Sequence, residues 1–165
     1  MTDPIANIAD IALRAVGDGK TFKGQCGRIG AAIGAKKLGC QLHVVQARDK
    51  AFPRHAHHAN EEMFFIVSGR GTYRYGAETR AIRAGDVIAA PAGDVSTAHQ
   101  ILNTSDAELR YLAFSTRLDP DVVEYADSNK FLVSSLVPEG GGLVSAGFKY
   151  IGRMDSAVDY WDGEK

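Results

Sequence analysis

Three of the chain's five histidines fall within four consecutive positions, in the run F-P-R-H-A-H-H-A-N-E-E-M-F-F-I-V-S-G that ends at Gly69. Imidazoles and a carboxylate, with no thiolate, are donors suited to divalent transition metals. On an extended strand, residues two apart share a face, so His55 and His57 point together and can converge on one cation. The chain then turns through Ala59 and Asn60 and re-enters as a strand, with Glu62 at its start able to aim a carboxylate back at the pair. A fourth donor must come from farther along. His99 is the candidate, with Ile101 and Asn103 sharing its face. A lone histidine among apolar strand residues is more often a satisfied core residue than a ligand. The H-x-H pair and the glutamate upstream are what make His99 a ligand candidate.

Three imidazoles and one carboxylate suit Mn, Fe, Co, Ni or Zn in the divalent state; we favour Mn or Fe over Ni or Zn. Four protein ligands on a six-coordinate ion leave two open positions, whereas a structural zinc site would be closed and tetrahedral. An open ion can polarise a carbonyl or enediolate oxygen. Isomerising a sugar also needs a base that moves a proton between neighbouring carbons. Glu61, beside the ligand, and His43, on an earlier strand, are the catalytic candidates, with His58 a third. Alternation turns Glu61 away from Glu62, toward solvent. Arg54, Lys36 and Lys37 could reach a phosphate.

The elements that must position these groups are short strands. From Gly39 onward, apolar segments alternate with turn signals, as a sandwich or barrel requires. The pattern predicts strands over Cys40–Ala47, Glu62–Ser68, Gly71–Tyr75, Thr79–Arg83, Asp86–Ala90, Thr97–Asn103 and Arg110–Ser115. With no long helical pattern between them, a parallel βαβ fold is not expected. Upstream, residues 4–16 space Ile5, Ile8, Ala9, Ala12 and Val16 like a short helix or arm, with Pro4 suited to a first turn. The glycine-rich stretch from Phe22 to Gly39 matches no phosphate-loop spacing and reads as turns and strand ends. After Arg117 the pattern weakens. A short helical turn is expected at Asp119 or Pro120, a flexible loop around Gly140–Gly142, and one more strand over Phe148–Ile151.

Size and composition set the frame. The 165 residues, 45% hydrophobic and 24% charged, suit one globular domain. Nineteen basic residues against twenty acidic ones leave a net charge of −1, which gives no broad reason to expect nucleic acid or an anionic membrane as partner. Two cysteines, Cys26 and Cys40, imply no disulfide framework. The acidic N-terminus lacks a secretion signal's pattern, and no apolar run approaches a membrane span. We read the chain as soluble and cytoplasmic. On the strand from Glu62, Phe64 and Ile66 should face inward, leaving Met63, Phe65 and Val67 outward. Burying one such side chain stabilises by about 1.5–3 kcal/mol, so this outer face needs a cover. We expect a homodimer packed through it.

The histidine run resembles the first motif of the cupin superfamily, G-x5-H-x-H-x(3,4)-E-x6-G. Four residues separate His57 from Glu62 and six separate Glu62 from Gly69, while the upstream glycine departs from the usual spacing. The second motif, G-x5-P-x-G-x2-H-x3-N, is met by Gly85, Pro91, Gly93, His99 and Asn103, except that five residues, DVSTA, stand before His99 where the pattern has two. The resemblance covers about residues 39–116. It implies an all-β fold: one cupin-type double-stranded β-helix, or jelly-roll barrel, with an N-terminal arm over 1–38 and a C-terminal extension over 117–165. It also implies one metal ion held by His55, His57, Glu62 and His99.

The chain is similar to small single-domain bacterial cupins, some grouped with sugar-phosphate isomerases. The closing Tyr160-Trp161-Asp162-Gly163-Glu164 is similar too, although the glycine-tryptophan of archaeal cupin phosphoglucose isomerases is missing. One scaffold hosts many reactions. The leading expectation is a metal-dependent isomerase or epimerase acting on a small polar substrate such as a sugar phosphate. A dioxygenase or an oxalate-decarboxylase-like lyase, and a non-enzymatic module that binds a small ligand, are the alternatives.

Overall fold

The computed structural model describes residues 2–139, 141–142 and 145–165. Thirteen strands run β1 Arg14–Gly17, β2 Lys23–Arg28, β3 Leu38–Val45, β4 His55–His57, β5 Glu62–Ser68, β6 Arg70–Tyr75, β7 Glu78–Arg83, β8 Val87–Ala90, β9 His99–Leu102, β10 Leu109–Thr116, β11 Asp121–Tyr125, β12 Lys130–Ser135 and β13 Phe148–Arg153. Among the described residues one short α-helix, α1 (Ile29–Ala32), precedes β3. The strands form two antiparallel sheets, in the orders β1-β2-β3-β10-β5-β8 and β13-β12-β11-β4-β9-β6-β7. The main core lies between them. Val45, Phe64, Ile66, Leu109 and Tyr111 of the first sheet meet Tyr73, Ile82 and Ile101 of the second.

The strands expected between residues 40 and 115 are all present, with ends moved by one or two residues. At the β5–β6 turn, Gly69 has φ +86° and a Cβ there would meet the Glu108 carbonyl oxygen at 2.4 Å, so both conformation and space call for glycine. Alternation along β5 is as expected: Phe64 and Ile66 are buried, while Met63 and Phe65 remain 43% and 38% exposed.

Of the short helix or arm expected over residues 4–16, the structure shows the arm, with a turn near Ile8–Asp10. Residues 4–13 form no helix, and β1 follows them. Asn7 accepts a hydrogen bond from the Ala9 backbone and Asp3 one from the Ile5 backbone. Such local bonds compete with helical pairing. Ile8, Ile11 and Leu13 still find burial, packing with Ile29, Leu42 and Val44 on the outer face of β3. The helical turn expected at Asp119 or Pro120 is absent, because the β-branched Val122 and Val123 enter β11 and pair along β4. The strand expected at Phe148 extends to Arg153. Of the loop expected around Gly140–Gly142, Gly140 lies outside the described residues, and Gly141 donates its backbone N–H to the Pro138 carbonyl. Both cysteines are free. Among the described residues no helix is long and apolar enough to cross a membrane.

Candidate metal centre

The four ligand candidates come from both sheets. β4 lies between β9 and β11 in the second sheet, with His55 directly opposite His99 and His57 opposite Val123. Directly opposed residues bring their Cβ atoms to about 4.5–5.5 Å, which explains why a histidine forty-odd residues along can meet the H-x-H pair. The five residues DVSTA do not displace it. Val95–Thr97 form one 3-10 turn, capped by the Asp94 carboxylate on the Ser96 N–H at 2.8 Å, and this turn absorbs the added length before β9. Glu62 opens β5 in the opposing sheet and reaches across.

All three histidines aim Nε2 at one oxygen. Glu62 Oε2 lies 2.9 Å from His99, 3.6 Å from His55 and 3.7 Å from His57. Donor atoms about 2.1 Å from a shared ion stand roughly 3.0 Å apart at right angles and roughly 3.4 Å apart at the tetrahedral angle. The observed distances are of that size or slightly longer, and the donors of His55, Glu62 and His99 fit a cation in both type and spacing. His55, Glu62 and His99 form a group whose ligand atoms all lie within 4.8 Å of one another. His57 is outside that group while sharing the Glu62 oxygen.

Burial and charge oppose each other here. Burial pushes the Glu62 carboxyl up, but hydrogen bonds from His55 and His99 and the nearby imidazole charge hold it well below the usual carboxylate range. For His57, burial lowers the pKa, yet the Asp121 hydrogen bond and the Glu62 and Asp121 charges leave it raised. For His99, burial prevails over the Glu62 contact and lowers it. The carboxylate is thus ionised and the His99 ring favours its neutral form, the states a metal requires.

The ligands line one end of a cavity of about 710 Å³. Its walls carry Phe52, Phe64, Ile101, Tyr111, Val123 and Leu132, and its mouth carries Lys36, Arg117, Glu139 and Lys149. The structure does not bring the expected catalytic candidates there. Glu61 is exposed, with its backbone paired to Thr116, and its side chain lies outside the cavity lining. His43 is 4% exposed, stacked on Tyr111 with ring centroids 5.0 Å apart, and behind the lining. Burial pushes its imidazole down to about 4, against the pull of the Glu62 charge. His58 points elsewhere, to Glu124 at 2.6 Å. Of the phosphate candidates, Lys36 lines the mouth, Arg54 pairs with Asp127 at 3.3 Å, and Lys37 is outside the lining.

Two residues that sequence reasoning missed matter to this cavity. Asp121 accepts a hydrogen bond from His57 Nδ1 at 2.6 Å, and Arg117 stands at the mouth. Both sit beyond the cupin motifs, where the alternation that marks the earlier strands fades. Asn103, by contrast, has a structural role: its Nδ2 contacts the carbonyls of Val45, Gln46 and Ala107 and ties two loops together.

Residues 41–115 match the family described as Cupin domain. No curated protein sequence matches the chain significantly. Among solved structures, the chain is similar to a candidate sugar phosphate isomerase from Acidithiobacillus ferrooxidans, with 21% identity, 95% of this chain and 96% of that one covered, and a TM-score of 0.78. It is similar to a cupin-superfamily sugar phosphate isomerase from Silicibacter pomeroyi, with 22% identity, 96% and 98% covered, and a TM-score of 0.77. A predicted oxalate decarboxylase from Thermotoga maritima shares 20% identity over 69% of this chain and 99% of that one, with a TM-score of 0.59. At these identities the likeness is one of fold. In the first two cases it takes in the N-terminal arm and the C-terminal extension as well as the barrel. Residues 41–115 thus match the cupin domain family, and the chain shares its fold, across nearly its whole length, with the Acidithiobacillus and Silicibacter proteins.

Proposed function

We propose that the protein is a metal-dependent enzyme whose ion, bound by His55, His57, Glu62 and His99, takes a small substrate through two oxygen atoms. The observation that carries this reading is the convergence of three Nε2 atoms on Glu62 Oε2 at 2.9–3.7 Å in the wall of a substrate-sized cavity. Mn or Fe is favoured by the mixed imidazole and carboxylate donors, with Ni or Zn next. When bound, the ion would polarise a carbonyl or enediolate oxygen.

The specific reaction we favour is isomerisation or epimerisation of a sugar phosphate. Its support is the cationic groups of the mouth: Lys36, Arg117 and Lys149 line the same cavity as the ligands, beside the acidic Asp119 and Glu139. The positive charge of these three suits an anionic end group, and the planar guanidinium suits phosphate in particular. The two neighbours named as sugar phosphate isomerases add weight through fold alone. A second reading has its own observation. The apolar walls formed by Phe52, Phe64, Ile101, Val123 and Leu132 suit an organic acid with an apolar body, the substrate of a dioxygenase or lyase.

The Mn- or Fe-loaded protein, tested against a panel of aldose and ketose phosphates by NMR, should interconvert at least one pair. No conversion across the panel, with oxygen uptake on organic acids, would replace the first reading by the second. We infer also that a second copy covers the outer face expected at Met63, Phe65 and Val67; Met63 and Phe65 are 43% and 38% exposed, Val67 is half-buried, and Val87, opposite Phe65, adds to the face at 65% exposed. Sedimentation at micromolar concentration should give the mass of a dimer; a monomer would overturn that inference.

A further inference from the structure

A ligating imidazole presents one nitrogen's lone pair to the ion, so the other nitrogen carries the proton. Whatever accepts that proton fixes the tautomer and the orientation of the ring. The three histidines differ at this far nitrogen. His55 Nδ1 lies 2.9 Å from the carbonyl oxygen of Pro53, a neutral acceptor two residues away. His99 Nδ1 is buried with no hydrogen-bond partner among the described residues. His57 Nδ1 lies 2.6 Å from a carboxylate oxygen of Asp121, a residue 2% exposed and 64 positions along the chain.

That carboxylate is itself held in place. Asp121 Oδ2 also accepts from Asn60 Nδ2 at 2.8 Å, and Oδ1 accepts from the Ala59 backbone N–H at 3.1 Å. Asn60 is fixed in turn: its Oδ1 accepts from Thr116 Oγ1 at 3.0 Å and from the Leu118 N–H at 2.7 Å. The turn between β4 and β5, which sets the spacing from His57 to Glu62, is therefore tied to the first residue of β11.

We propose that Asp121 is a positioning residue of the metal centre, holding His57 as the Nδ1–H tautomer with Nε2 turned toward the ion. The proposal rests on the metal-centre reading above. His57 is the donor that most needs such an anchor, because it stands outside the group of three whose ligand atoms lie mutually within 4.8 Å. Its Nε2 already lies 3.7 Å from Glu62 Oε2, and the Asp121 contact at Nδ1 limits how the ring can turn. The same strand fixes the main chain, since β11 pairs with β4 at Val123 opposite His57. A carboxylate acceptor on Nδ1 also makes Nε2 a stronger donor to a cation than a neutral carbonyl does. The C-terminal extension, which lies outside the residues matching the cupin family, thereby becomes part of the ion's site.

The test uses the full chain with Zn²⁺ as a diamagnetic probe. Affinity is read by competition with a chromophoric chelator, and the His57 tautomer by imidazole ¹⁵N NMR. Asp121→Asn should weaken binding by about 10–100-fold while the metal-free variant melts close to the wild type. In the metal-free wild type above neutral pH, the neutral His57 ring should carry its proton on Nδ1, and in Asp121→Asn that fixed pattern should be lost. Unchanged affinity and tautomer in Asp121→Asn would overturn the proposal and leave the metal centre standing. A wild type that binds no Zn²⁺ would overturn the metal centre and the proposal together. Should Asp121→Asn fail to fold, the wild-type spectrum decides alone, since a proton on His57 Nε2 contradicts the proposal.

Discussion

At the metal end of the cavity the polar groups sit on strands and are tied down by neighbours: His99 is 3% exposed and its side chain meets a glutamate from the opposing sheet. At the mouth they are long side chains, with Lys36, Arg117 and Glu139 on loops and Lys149 on the edge strand β13. Lys36 pairs with Glu139 at 3.0 Å with both side chains at least 70% exposed, and Arg117 donates to the carbonyls of Pro138 and Gly141. An exposed ion pair contributes roughly 0–1 kcal/mol and is readily exchanged for a ligand. The buried donors, in contrast, are fixed before any substrate arrives. On the proposed function, the chemistry belongs to the metal end and the choice of substrate to the mouth.

The largest effect expected at the buried end concerns His43, behind the ligands. Above about pH 6.5 the folded and unfolded chains both hold this ring neutral. Between that value and its folded value of about 4, the unfolded chain takes up a proton that the folded chain does not, so stability falls as pH falls and levels off below about 4. At about 1.4 kcal/mol per unit, the contribution lost is roughly 3 kcal/mol. Denaturant melts of the metal-free protein between pH 7 and pH 4 should show a steeper loss in the wild type than in His43→Gln. Parallel curves would mean that the buried ring accepts a proton at little cost.

At the mouth a smaller effect is expected. Arg117→Ala should raise KM for an anionic substrate by about 5–10-fold, the scale of one partly exposed charged contact, with kcat little changed. Steady-state kinetics on the substrate found in the panel measures this. A fall in kcat with KM unchanged would place Arg117 in the chemistry and erase the division between the two ends.

How much of this was readable in the sequence follows the same division. His55, His57, Glu62 and His99 stood out because donor type and strand alternation are local properties, and the structure aims all four into one space. Glu61 was rightly expected to face away from Glu62. His43 was placed on a strand, but its depth behind Tyr111 depends on how two sheets pack, which spacing does not encode. Asp121 and Arg117 were missed for a related reason. β11 is five residues long and gains its place by pairing with β4 and β12, contacts made across long sequence separations. The arm over residues 4–16 shows local pattern giving way: Ile8, Ile11 and Leu13 are partly buried while Ile5, Ala9 and Ala12 are exposed, on a non-helical chain whose Asx contacts compete with helical bonds.

The central claim is that the inward histidines, and not their outward neighbour, hold an ion with Glu62. His57 and His58 are adjacent, yet one faces Glu62 and the other Glu124. Elemental analysis of the purified wild type, His57→Ala and His58→Ala proteins, dialysed under the same conditions, tests this most directly. The account predicts one transition-metal ion per chain in the wild type, near-complete loss in His57→Ala and near-full retention in His58→Ala. Equal losses in the two variants, or a wild type with no bound metal after exposure to Mn, Fe, Ni and Zn, would contradict it.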